Sequence, residues 1–249
     1  MNSDIPLINP LILFGGAHLA AESAAVWQAI AGTPPSKKRA VLVTAALAEH
    51  KHASQVYRSG EESAPLKQLG CEIQVLAIHS RDEAEQAFRL EEPDIIVLST
   101  GSPRTFLETL RYTRAWDVIL DAWFKNAMLV ALPGSAVALG QHAFAPVRLL
   151  PAGLSELYFE YLTGMDMVTE TCIVPHYDTL TSDTLTYITA ILPPSAILLG
   201  IDEHAALRIE GGRCQVLGRG GVAVVSRGTL LRTAAAGTEV SLDSLLAIE

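Results

Sequence analysis

Three features of the sequence predict an α/β fold, doubly wound, with a mostly parallel sheet and helices on both faces. Short apolar runs alternate with helix-period segments up to Gly140. Several of these runs are apolar at every position, as strands covered on both faces are. Beyond Pro151 the links shorten, which predicts an antiparallel C-terminal extension at the sheet edge. The length suits a single domain over residues 1–249, and no Ser/Gly-rich linker or repeat interrupts it.

Taken in order, Leu11–Phe14 reads as the first strand and His18–Ile30 as a helix broken by Thr33-Pro34-Pro35. Ala40–Thr44 is the next strand. A polar helix then runs to Leu69-Gly70, where the glycine suits a C-cap. Glu72–Ile78 is a strand, Asp82–Leu90 a helix and Ile95–Leu98 a buried strand. Helical patterns cover Phe106–Tyr112 and Trp116–Phe124, and Ala127–Leu132 is a further buried strand. Val168–Val174, Ala196–Ile201, Ala206–Glu210 and Gly221–Val225 read as the later strands, with Gly211-Gly212 and the Gly218–Gly221 run as hairpin turns.

Hydrophobic residues make up 49% and charged residues 18%, enough apolar material for a buried sheet. The formal charge is −9 and no basic stripe is present, which argues against nucleic acid as a partner. Cys71, Cys172 and Cys214 are far apart, odd in number and in no paired spacing, so they suggest neither a disulfide framework nor a zinc site. The N-terminal apolar run has strand length, not membrane or signal length, so no membrane association and a cytoplasmic location are expected. Self-association as a homodimer stays open.

The segment Ala127–Gly140 carries the chemistry. A buried strand runs into Pro133-Gly134, then Ser135, then the small helix-compatible run Ala136–Leu139. This is the plan of a nucleophile elbow, in which a sharp turn lifts a hydroxyl out of the sheet and aims the first amides of the next helix at the same spot. The competing reading is that Ser135 only caps the helix.

Several ordered segments resemble the dipeptidase E and cyanophycinase family of serine peptidases, within the class I glutamine amidotransferase-like fold. They are Leu13–Gly16, Ala40–Ala46, Leu98–Leu107, Gly134–Leu139, Gly164–Asp178, Leu199–Leu207 and Gln215–Gly218. The resemblance implies Ser135 as nucleophile and His176 as general base, with Glu156, or secondarily Glu160, orienting the imidazole. It also implies an oxyanion hole from the amides of Ala136 and of the Gly101-Ser102 turn. The implied activity is hydrolysis of a small peptide or amide through an acyl-enzyme, with no metal or organic cofactor.

The chain departs from the family pattern at the elbow, where Pro133 and Val137 replace glycines, and at Gly101-Ser102-Pro103-Arg104. After His176 it lacks the arginines that hold an acidic substrate. A catalytically degenerate binding or regulatory member is therefore the alternative. A glutamine amidotransferase subunit is a weaker third, because that chemistry uses a cysteine where Ser135 stands. Asp202-Glu203-His204 reads as a structural or pocket-edge element, and His50-Lys51-His52 as a solvated helix face. His142 reads as a core or surface histidine, and Arg111 and Arg114 as solvated helix charges.

Overall fold

The protein was analysed as a computed structural model that describes residues 9–32, 38–47, 52–86, 89–148 and 157–247. The chain opens with strand β1 (Leu11–Phe14), helix α1 (Ala24–Ala31), β2 (Arg39–Val43), α2 (His52–Gln68) and β3 (Glu72–Leu76). It continues with α3 (Arg81–Ala84), β4 (Ile95–Leu98), α4 (Pro103–Leu110), α5 (Arg114–Phe124), β5 (Met128–Ala131) and α6 (Pro133–Leu139). The second half runs β6 (Gly140–Arg148), β7 (Leu157–Thr163), β8 (Val168–Pro175), α7 (Ser182–Ile191), β9 (Ile197–Ile201), β10 (Ala205–Glu210) and β11 (Arg213–Gly218). It closes with β12 (Gly221–Ser226), β13 (Thr229–Ala235), β14 (Glu239–Ser241) and α8 (Leu242–Leu246).

Two sheets result. The first has the order β14-β11-β10-β1-β5-β4-β2-β3. It is parallel from β1 to β3 and antiparallel across β10, β11 and β14. The second has the order β13-β12-β9-β8-β6-β7, with β8 parallel to both β6 and β9. The α/β class and the antiparallel C-terminal strands agree with the sequence. The size of the second sheet does not follow from it, because β6, β7 and β13 lack a continuous apolar run. The Gly211-Gly212 link is the expected hairpin, between β10 and β11. The Gly218–Gly221 run is not a hairpin. It carries the chain from the first sheet, at β11, to the second, at β12. The helix read over Asp82–Leu90 is cut to the single turn α3.

Alternation explains why the central strands are apolar throughout. In β1, Leu11 and Leu13 enter one core cluster while Ile12 and Phe14 enter the other. The second cluster includes Val26, Trp27 and Ile30 of α1, and the Trp27 and Phe14 ring centroids are 4.9 Å apart. The first cluster holds Phe106 and Leu110 of α4, Ile119 and Trp123 of α5, most of α6, and the inner face of the second sheet. Helix α4 starts where Ser102 accepts a bond from the Thr105 amide, with Pro103 pre-set for the first helical position.

Helix α6 lies between the two sheets and packs against β8, β6 and α4. Every residue of it but Gly134 is buried. Its small residues permit this. A Cβ on Gly134 would stand on the Gly101 carbonyl oxygen and 2.6 Å from the Gly101 nitrogen, so two peptide groups touch where a side chain would separate them. Gly134→Ala should therefore lower the unfolding free energy by about 1–3 kcal/mol, the usual cost of overpacking, in urea titration.

Candidate functional site

The carboxyl ends of β1, β5 and β4 lie side by side, since Leu13 pairs with Ala131 and Ala131 with Leu98. Ligands of open α/β sheets bind at such an edge. Three loops leave it here: Gly15-Gly16 from β1, the Leu132-Pro133 junction from β5, and Ser99–Ser102 from β4.

His176 reaches this edge from the second sheet. It follows β8 in the left-handed region, at φ 55°, and its amide donates to the Gly15 carbonyl at 2.7 Å. The imidazole rests on Gly16, where a Cβ would lie 2.6 Å from both Cε1 and Nδ1. Nδ1 faces Glu203 Oε1 at 3.7 Å, an ion-pair distance. Glu203 is itself held by its amide, which donates to Asp178 Oδ1 at 2.7 Å. Asp202 Oδ2 accepts from the Gly221 amide at 2.7 Å, while burial and then Asp178 raise its carboxyl above the ordinary range. The Tyr177 ring packs on Gly200, and burial, with Asp202 second, raises its hydroxyl. The carboxylate paired with His176 is thus Glu203, in the Asp202-Glu203-His204 segment read as a structural or pocket-edge element, and residues 202–204 form a turn between β9 and β10, not a strand.

The other expected site residues are arranged differently. Ser135 is the third residue of α6, fully buried, and its hydroxyl donates to the Ser99 carbonyl. No hydrogen bond joins it to His176. Ser99 follows β4 and Gly15 follows β1, with β5 between them, so the two anchors lie about 10 Å apart across two strand spacings. The elbow turn is absent as well: Leu132 is extended at φ −75°, and none of residues 132–136 has a positive φ. The residue standing at the junction of strand and helix is Pro133.

The oxyanion expectation changes accordingly. The Ala136 amide is spent on the Leu132 carbonyl at 2.8 Å, and the Ser102 amide on the Ala46 carbonyl at 3.1 Å. The Ala136 bond is the first of the helix, so the Gly134 amide precedes the intrahelical ladder. The Gly101 amide has no acceptor among the described residues. Gly101 therefore stays a candidate, the Ala136 amide is committed to the helix, and Ser102 is a helix cap.

Glu156 lies outside the described residues. Glu160 does not serve His176: its Oε1 accepts from Arg104 Nε at 2.6 Å and pairs with Arg104 Nη2. His142 Nδ1 is 3.0 Å from the Tyr161 hydroxyl, and Arg111 donates to the Thr163 carbonyl. The Arg114 amide donates to Glu85 Oε2 at 3.3 Å. His50 and Lys51 lie outside the described residues. The three cysteines are free and buried. Among the described residues no group of three His, Cys, Asp or Glu side chains is arranged to hold a metal ion, and no helix is long and apolar enough to cross a membrane.

Mixed sheets with helices on both faces, and a histidine–carboxylate pair at the carboxyl edge, define a peptidase-like α/β protein. The chain belongs to peptidase family S51, whose model matches residues 11–217. Its fold is similar to that of a peptidase from an acI-B1 Actinobacterium, with TM-score 0.75 and 20% identity, covering 95% of this chain and 98% of the other. It is also similar to a putative peptidase E protein from Listeria monocytogenes EGD-e, with TM-score 0.59 and 16% identity, covering 85% and 98%. No curated protein matches the chain.

Beside this pair sits His18, whose Nε2 is buried without a partner. Burial, with the charge of His176 second, lowers its pKa from 6.5 to about 4. In this window the unfolded chain binds a proton that the folded chain does not. The contribution is therefore complete above pH 6.5 and is lost as pH falls towards 4. It amounts to about 3 kcal/mol over the window. Urea titrations from pH 7 to pH 4 should show that fall in the native protein and a flatter profile in His18→Gln.

Proposed function

We propose that this chain binds small peptides or amides at the carboxyl edge of the first sheet without forming an acyl-enzyme at Ser135. The observation that carries this reading is the residue at the strand–helix junction. An elbow nucleophile stands between strand and helix, with the amide of the next residue free to receive the oxyanion. Here the amides of Gly134 and Ser135 both precede the first intrahelical bond, and the residue at the strand–helix junction is Pro133. Proline has no hydroxyl. The Ser135 hydroxyl lies two residues further on, inside the helix, fully buried and engaged with Ser99.

What remains is a recognition site. The His176–Glu203 pair lies at the end of β1, and Gly134 packs on Gly101 at the ends of β5 and β4. Asp178 stands two residues from His176 and holds the Glu203 amide, and among the described residues no lysine or arginine is paired with His176, which suits a substrate end other than an acidic one.

Membership of a peptidase family supports the competing reading, in which Ser135 attacks the carbonyl, His176 takes its proton and an acyl-enzyme forms. That route requires the hydroxyl to leave Ser99 and cross towards β1. A fluorophosphonate probe separates the two. The folded protein is expected to label no more than Ser135→Ala does, whereas Pro133→Ser gains labelling at the junction. Labelling of the native protein that vanishes in Ser135→Ala would establish the acyl-enzyme route instead.

A further inference from the structure

The outer face of the second sheet is only partly covered. Six strands at about 4.8 Å spacing span roughly 24 Å, whereas one helix is about 10 Å wide. Helix α7 lies across part of that face, with Tyr187 against Tyr158 and Phe159 of β7. On the β9, β12 and β13 side an apolar row runs out from under the helix. Leu198 pairs with Val225, and Val225 with Leu230, so the three side chains share one face. Leu198 and Val225 are buried, while Leu230 is 55% exposed. Between this row and α7 lies an open groove of about 480 Å³, within the range of small-molecule sites. Leu185 and Thr189 line its helix side, and Tyr177, whose ring lies over Gly200, also lines it.

One cation lines the groove. Arg227 and Gly228 are the two central residues of the β12–β13 hairpin, since Ser226 pairs with Thr229, and their φ values are 50° and 75°. Turns of this kind favour asparagine, aspartate or glycine at the first position, so an arginine is held there at a cost. Its guanidinium has no ion pair or hydrogen bond among the described residues, whereas Arg104, Arg208 and Arg213 are each paired with a glutamate. Among the described residues no aspartate or glutamate lines the groove, although the chain carries a formal charge of −9. We propose that the groove binds a small monocarboxylate with an apolar body, its head on Arg227 and its body along Leu198, Val225 and Leu230. The head is selected by charge, because a guanidinium offers paired donors that match two carboxylate oxygens. The body is selected by the apolar row. Arg227 follows Val225 by two residues, so head and body sites lie within about 7 Å of each other along the strand. Such binding needs nothing from His176 or Ser135.

The test is calorimetric titration of the full chain with sodium octanoate below its micelle concentration. Saturable binding at a single site is expected. Arg227→Gln should weaken it about 10-fold, the scale of one charge-assisted contact, and Arg227→Lys should recover part of that loss. Leu230→Glu, at an exposed position, sets a carboxylate against the ligand's own and should weaken binding by at least as much. Octan-1-ol lacks the charge and acetate lacks the body, so each should bind more weakly than octanoate by about 10-fold or more. His176→Ala should leave the affinity unchanged. Melting curves establish that each variant is folded. Absence of saturable binding overturns the proposal, and so does binding that Arg227→Gln leaves intact. Binding lost in His176→Ala would place octanoate at the carboxyl edge of the first sheet and overturn it too. A dimer in sedimentation equilibrium that Leu230→Glu dissociates would assign the groove to a second copy of the chain instead.

Discussion

The site depends on how closely two sheets approach at one point. The amide of His176, at the end of β8, donates to the carbonyl of Gly15, at the end of β1, at 2.7 Å. That single bond ties the second sheet to the carboxyl edge of the first. It forms only because the backbones meet where side chains are missing. The Tyr177 ring takes the space above Gly200, and the His176 ring takes the space above Gly16. The Gly15 amide donates in turn to Ala205, so β1, β10 and the His176 loop share one hydrogen-bonded corner. Glu203 enters the site from that corner. The chemistry available at the edge is set by backbone contact first and by side chains second.

The same logic operates on the other side of β5. Helix α6 is pressed between the sheets, so its residues must be small or apolar, and Gly134 must lie flat on Gly101. Starting the helix at Pro133 fixes φ near −65° at the junction and removes one donor. A turn that aims a side chain out of the sheet needs a strained backbone at that residue, and a helical proline provides none. Pro133 thus sets the turn between β5 and α6. Ser135 is carried to the third helical position, where its hydroxyl meets the nearest free acceptor, the carbonyl that ends β4.

The sequence made the parallel half of the fold legible, because β1, β2, β4 and β5 are buried on both faces and their apolar runs match the observed strands closely. The second sheet was less legible for a physical reason. Its outer strands expose one face, and β6, β7 and β13 mix aromatic, small and polar residues that carry no continuous run. At the site, His176 stands where its motif suggested, beside a carboxylate. Which carboxylate was not legible, since Glu203 follows the histidine in the chain and sits in a turn that reads as strand. The start of α6 at Pro133, two residues before Ser135, was not legible either, because strand and helix ends are uncertain by a residue or two.

These pieces describe how the two sides of the carboxyl edge are built. On the β1 and β8 side, backbone contacts at Gly15, Gly16 and Gly200 hold the His176 loop, and none of these glycines takes a side chain without clash. On the β5 side, Ser135 stands inside α6, which starts at Pro133. The two sides also meet directly, because α6 packs against β8, the strand that leads into the His176 loop. The left-handed φ of 55° at His176 is a standing cost that substitution by glycine would relieve, and it is held in place by the glycine contacts around it.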